Sequence, residues 1–260
     1  MANNPRLIAI QIRITMKSIT KILLAAALVA STTQTFAKPA PVVKSYHFDT
    51  QDRHLSGFNS VNIAGSFDVY ITQGNTESVI VEADDEAIDK IITEVKGGSL
   101  KIYTKSTSGF NWSWGNNDKK RIVRVVAKDL NTISLTGSGD VFFKDGFRTQ
   151  SLAVKLSGSG DITGKIDVKT LESSVVGSGD VTLTGRAETS SVKVSGSGDY
   201  TGKDLLTTST TVRVVGSGDA SVNASRSVDA SVAGSGDIRY TGTAKQISTS
   251  KSGSGDIHRF

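Results

Sequence analysis

Gly137-Ser138-Gly139-Asp140 is the first of seven copies of Gly-Ser-Gly-Asp, the others beginning at Gly158, Gly177, Gly196, Gly216, Gly234 and Gly253. The starts lie 21, 19, 19, 20, 18 and 19 residues apart. A period that stays near one value, with a residue or two of slack, marks stacked structural units joined by surface loops. Two residues before each first glycine stand Leu135, Leu156, Val175, Val194, Val214, Val232 and Lys251, and one residue earlier a polar column runs from Ser134 to Ser250. Directly after each aspartate come Val141, Ile162, Val181, Tyr200, Ala220, Ile238 and Ile257. Alternation with period two on both sides of a tight turn makes each unit strand, turn, strand. One such unit cannot bury its apolar face alone, so the pattern predicts an all-β fold: a β-solenoid of roughly 19-residue coils with an aliphatic interior ladder.

The corner chemistry fits. Glycines flanking a serine allow positive φ without a Cβ clash, and aspartate accepts bonds from nearby backbone N–H groups, here expected through an Asx-type turn. Aspartates stacked at about 4.8 Å repel by roughly 0.9 kcal/mol in bulk water. Asp140, Asp161, Asp180, Asp199, Asp219, Asp237 and Asp256 are therefore read as structural turn residues, with a bound-calcium ladder as the alternative. The calcium-binding solenoid repeat places an aspartate about every 9 residues and has a second glycine-rich half-turn, which this repeat lacks.

Residues 1–37 read as a secretory signal peptide, with Met16-Lys17 as a second plausible start. Lys17 and Lys21 precede the apolar run Ile22 to Ala30, which is too short for a membrane span, and Thr35-Phe36-Ala37 supplies a cleavage site. The expected location is the periplasm, the outer-membrane surface or the extracellular space. Arg6, Arg13, Lys17 and Lys21 all belong to this segment, which leaves 26 basic against 25 acidic side chains in the mature chain. That balance gives no nucleic-acid footprint. With no cysteine, neither disulfides nor thiol chemistry is available in an oxidising compartment. Residues 38–45, with Pro39 and Pro41, read as an extended linker, and 46–260 as the folded domain.

Within that domain 46–136 is less regular. Gly65-Ser66-Phe67-Asp68 is a degenerate copy of the corner and predicts a first, atypical rung. Gly97-Gly98 predicts a hairpin turn into Leu100 to Thr104, and 84–94 suits either a short helix or a strand. Four stretches form a series: Phe58-x-x-Val61-x-Ile63-x-Gly65, Asp68-Val69-Tyr70-Ile71-Thr72-Gln73-Gly74, Val79-x-Val81-Glu82-Ala83-Asp84, and Gly98-x-Leu100-Lys101-Ile102. Taken with the serial Gly-Ser-Gly-Asp, this series resembles the bacterial head GIN domain family, described as auto-transporter adhesin heads. The resemblance covers nearly all of 46–260 and implies an exported solenoid-like domain with an adhesive role and no catalytic residues. The β-barrel of an auto-transporter does not follow Asp256 in this sequence.

Candidate chemistry is sparse. His47, His54 and His258 lack metal-ligand spacing, and no cofactor or metal is expected. The acidic run Glu82, Asp84, Asp85, Glu86 reads as a solvated loop or helix start rather than a cation site. A β-helical polysaccharide-active enzyme would need two carboxylates in unlike environments, whereas seven alike turns offer like ones. The best binding candidate is Phe110-Asn-Trp112-Ser-Trp114-Gly-Asn116-Asn117, because aromatic faces beside amides suit sugar rings. The alternative is that its aromatics fold back to plug the solenoid. The partners expected are a cell-surface glycan or protein, and self-association through solenoid ends is a further expectation.

Overall fold

The structure, a computed structural model, describes residues 48–105 and 121–260. The first half runs β1 (Phe48–Asp52), β2 (Ser60–Gly65), β3 (Asp68–Gln73), β4 (Ser78–Asp84), the helical turn α1 (Asp85–Ile88), β5 (Ile91–Lys96), β6 (Ser99–Thr104), β7 (Ile122–Ala127) and β8 (Thr132–Gly137). Both alternatives for 84–94 are realised in succession. Gly97 and Gly98, at φ +60° and +73°, turn β5 back onto β6 as an antiparallel hairpin.

Then come strands that each travel a whole coil: β9 (Val141–Gly158), β10 (Ile162–Gly177), β11 (Val181–Gly196), β12 (Tyr200–Gly216) and β13 (Ala220–Gly234). The next coil is divided into β14 (Ile238–Thr241) and β15 (Gln246–Gly253), and β16 (Ile257–Arg259) follows the last corner. All of these pair in parallel, coil on coil, so the fold is a β-solenoid of about seven turns. The first glycines form one unbroken register line: Gly65, Gly137, Gly158, Gly177, Gly196, Gly216, Gly234, Gly253. Gly65 thus belongs to the same corner line, as its degenerate sequence predicts.

The stacking order of the first half departs from chain order. β2 lies between β6 and β8, and β3 between β7 and β9, so β6 and β7 form a coil outside the one that precedes them in sequence. Antiparallel strands close this end, β5 on β6, with β4 on β7 and β1 on β4. The Arg53 guanidinium donates to the carbonyls of Ile88 and Ile91 and ties α1 to the start of β5.

Inside, the predicted columns are buried: Leu135, Leu156, Val175, Val194, Val214 and Val232 are each at most 1% exposed, and Val141, Ile162, Val181, Tyr200, Ala220 and Ile238 likewise. Size is balanced between neighbouring coils. Gly164 lies under Phe143, where a Cβ would come within 1.8 Å of the ring. In the last coil Lys251 takes the place of Val232 and Thr249 that of Ala230, so the inward column turns polar where β15 pairs on one side only. Inward charge on an edge strand discourages further strand pairing.

Candidate functional site

Both glycines of the corner are required by contact, not only by φ. At Gly158 (φ +135°) a Cβ would sit 2.2 Å from the carbonyl oxygen of Gly137, and at Gly160 one would sit 2.0 Å from that of Gly139. The backbones of successive corners therefore lie directly on one another. The Ser159 and Gly160 N–H groups both donate to the Gly137 carbonyl, and Ser178 and Gly179 repeat this on Gly158.

The aspartates complete the corner in a way the sequence reading did not anticipate. Each backbone N–H donates to the preceding coil's carboxylate: Asp161 to Asp140 Oδ1 (3.0 Å), Asp180 to Asp161 (3.0 Å), Asp199 to Asp180 (2.8 Å), Asp219 to Asp199 (2.7 Å), Asp237 to Asp219 (2.8 Å) and Asp256 to Asp237 (2.8 Å). The bond runs between coils, not within the turn as an Asx motif would. Backbone donors aimed at the charge offset the repulsion of stacked carboxylates. Arg239 adds a cation within 3.4 Å of Asp219 and 3.5 Å of Asp237. Lys251, hydrogen-bonded to Asp256 at 2.7 Å, holds that carboxyl below the usual aspartate range. Among the described residues no three His, Cys, Asp or Glu side chains converge as a metal site would require.

The other sequence candidates disperse. In the acidic run Glu82 pairs with Arg124 (2.7 Å), Asp84 accepts the Ala87 N–H (3.1 Å) as the cap of α1, and Asp85 is exposed. His54 pairs with Asp52 at 3.4 Å and His258 is exposed on β16, whereas His47 lies outside the described residues. Phe110, Trp112, Trp114, Asn116 and Asn117 also lie outside them, as do the predicted signal peptide 1–37 and linker 38–45.

One surface feature had no individual motif to announce it. The inside–outside alternation breaks again opposite the corners, at Lys169-Thr170 in β10, Glu188-Thr189 in β11 and Thr208-Ser209 in β12. Beside this second bend runs a groove of about 750 Å³. One wall is Thr170, Thr189, Ser209 and Ser227, and the other includes Ser191, Thr211 and Asp229. From Thr170 to Gln246 of β15 the groove crosses four coil spacings, about 19 Å. The hydroxyls of the first wall bond one another, Ser227 to Ser209 at 2.8 Å and Thr189 to Thr170 at 3.4 Å.

Among curated proteins none matches the chain. Among solved structures it is similar to a putative adhesin from Bacteroides fragilis, with 28% identity over 83% of this chain and 98% of that one and a TM-score of 0.75. A putative lipid binding protein from Parabacteroides distasonis is 27% identical over 82% of this chain and 97% of that one, with a TM-score of 0.67. A putative adhesin from the same species shares the fold at 23% identity, over 83% and 98% of the two chains, with a TM-score of 0.66. Residues 57–244 match the family described as "Putative auto-transporter adhesin, head GIN domain". With most of its length matched, the chain belongs to the head GIN domain family of adhesin-like proteins.

Proposed function

We infer that this is an exported, non-catalytic domain of the cell envelope that works by surface contact, as an adhesin-like binding head. The observation that supports this most directly is the regularity of the stack. Each ladder carboxylate from Asp140 to Asp237 carries the same backbone N–H bond, and the two that also meet a cation, Asp219 and Asp237, share the same one, so neighbours are not given the opposed environments that acid and base catalysis requires. A long, regular exterior is what remains for function, as in other solenoids that bind along a face. The test has two parts. Expressed with its own leader, the chain should leave the cytoplasm and begin near Lys38 after processing. The purified product should adhere to immobilised cell-surface material without releasing reducing ends from polysaccharides. Retention in the cytoplasm with the leader intact, or release of reducing ends lost in one Asp→Asn variant, would overturn the reading.

A second contact is proposed at the tryptophan segment, whose aromatic faces interleaved with amides suit sugar rings. Trp112→Ala with Trp114→Ala should abolish glycan-array binding there, and unchanged binding would remove this contact.

A further inference from the structure

Alongside the hydroxyl-walled groove stands a row of cations. Lys155, Ser174, Lys193, Arg213 and Ser231 occupy one register column on the outward face of the strands that carry the groove. Lys193 and Arg213 are direct cross-strand neighbours, about 4.8 Å apart. Like charges directly opposite on a sheet are destabilising. Among the described residues, neither has a carboxylate within ion-pair distance, whereas Arg124, Arg148 and Lys251 each have one and Arg239 has two.

Two residues earlier on the same strands, about 6.6 Å away, come Ser191 and Thr211 of the groove wall. Glu172 and Asp229 occupy the same row one coil to either side. Between these two carboxylates the row is uncharged on the two coils that carry Lys193 and Arg213. The Ser191 and Thr211 hydroxyls make no hydrogen bond within the described residues, unlike those of the facing wall.

We propose that this groove binds a linear acidic polysaccharide lying along the solenoid axis. Sugar hydroxyls exchange bonds with the serine and threonine walls, and a carboxylate or sulfate is seated between Ser191, Thr211, Lys193 and Arg213. Hydroxyl walls match a polyol without demanding one register, and the cation pair sets the preference for an acidic chain. An extended peptide is disfavoured along β10 to β13, where the cation pair lies, because the backbone groups there are used in the coil-to-coil ladders and the open edge of β15 lies at the far end of the groove. A membrane surface is disfavoured because the apolar side chains beyond the cation row, Val176 and Val215, stand singly with Ser195 between them. The proposal rests on the adhesin reading and names the class of its ligand.

The experiment is affinity electrophoresis of the processed chain in gels containing polygalacturonate or neutral dextran, with flotation on phosphatidylglycerol vesicles in parallel. Retardation by polygalacturonate alone is expected, weakened at least tenfold in the Lys193→Ser/Arg213→Ser double variant. Lys165→Ser/Lys203→Ser removes the same charge from another stretch of the coils and should stay within twofold. Circular dichroism melts establish that both variants fold. Equal weakening by both pairs, absence of retardation, or binding to the vesicles alone would overturn the proposal. Adherence to cell-surface material that persists in the Lys193/Arg213 variant would overturn the groove and leave the adhesin reading standing. Adherence to nothing, polygalacturonate included, would end both.

Discussion

Replacing Gly179 by alanine isolates the contact on which the stack depends. Gly179 does not have a positive φ, so the change tests close approach alone. The new Cβ would stand 2.0 Å from the Gly160 carbonyl oxygen, about 1 Å inside any real contact. The Ser178 and Gly179 N–H groups donate to Gly158 O at 2.9 and 3.1 Å, Asp180 N–H to Asp161 Oδ1 at 3.0 Å, and Ile162 N–H to Asp180 O at 2.9 Å. A 1 Å separation takes all four beyond bonding range. At about 1 kcal/mol each the loss is about 4 kcal/mol, a large share of the 5–15 kcal/mol typical of a domain. Because each coil touches only its neighbours, the damage should also divide the stack. The assay is urea unfolding followed by circular dichroism. A midpoint shift of that size, or separation into two transitions, is expected. Ser178→Ala at the same exposed corner should stay within about 0.5 kcal/mol. Gly179→Ala unfolding like wild type would refute the stacked corner.

Further outcomes follow from other positions. Gly164→Ala should cost about 1–3 kcal/mol by overpacking against Phe143, and a double-mutant cycle with Phe143→Leu should recover much of it, whereas additive costs would contradict the packing of the two coils. Asp180→Asn keeps an oxygen acceptor for the Asp199 N–H and should be close to neutral, while Asp180→Ala should cost about 1–3 kcal/mol; equal effects in chemical denaturation would remove the ladder's structural role. Tyr200 is fully buried beside Ser190 without a hydrogen bond of good geometry, and burial pushes its hydroxyl well above the ordinary tyrosine range. The unfolded chain then releases that proton first, so stability is intact below about pH 10 and falls as pH rises above it. Tyr200→Phe should flatten that alkaline loss, and an unchanged alkaline denaturation profile would contradict it. Lys251→Val restores the aliphatic column at an open edge and should raise self-association in light scattering, with no change counting against Lys251 as a guard of that edge.

The regular half of the fold was legible because each coil repeats the same local demands. Valine or isoleucine on either side of a glycine-flanked corner fixes which face is buried, and the 18–21-residue spacing fixes the register. Even Gly65-Ser66-Phe67-Asp68 could be placed, since only its second glycine is lost. The order of coils in the first half was not legible. Nothing local in Ser99–Thr104 or Ile122–Ala127 says that they stack outside β2 and β3, because that choice is made by long-range pairing. The aspartate ladder was legible as chemistry but not as geometry: a carboxylate that bonds the next coil and one that bonds its own turn have the same sequence. The groove was hidden for a different reason. Thr170, Thr189, Ser209 and Ser227 look like ordinary solvent-facing residues until the register aligns them, and Lys193 meets Arg213 only through a 20-residue offset in that register.

The absence of cysteine allows the stack itself to be measured. Spin labels placed by cysteine substitution at the exposed corner serines, pairing Ser138 with Ser217, Ser235 and Ser254 in turn, span four, five and six coils. Pulsed dipolar spectroscopy should return separations of about 19, 24 and 29 Å, rising by one strand spacing per coil. Distances that fail to grow by equal steps would show that the corners do not lie along one line, and the groove and its cation row would lose their alignment with them.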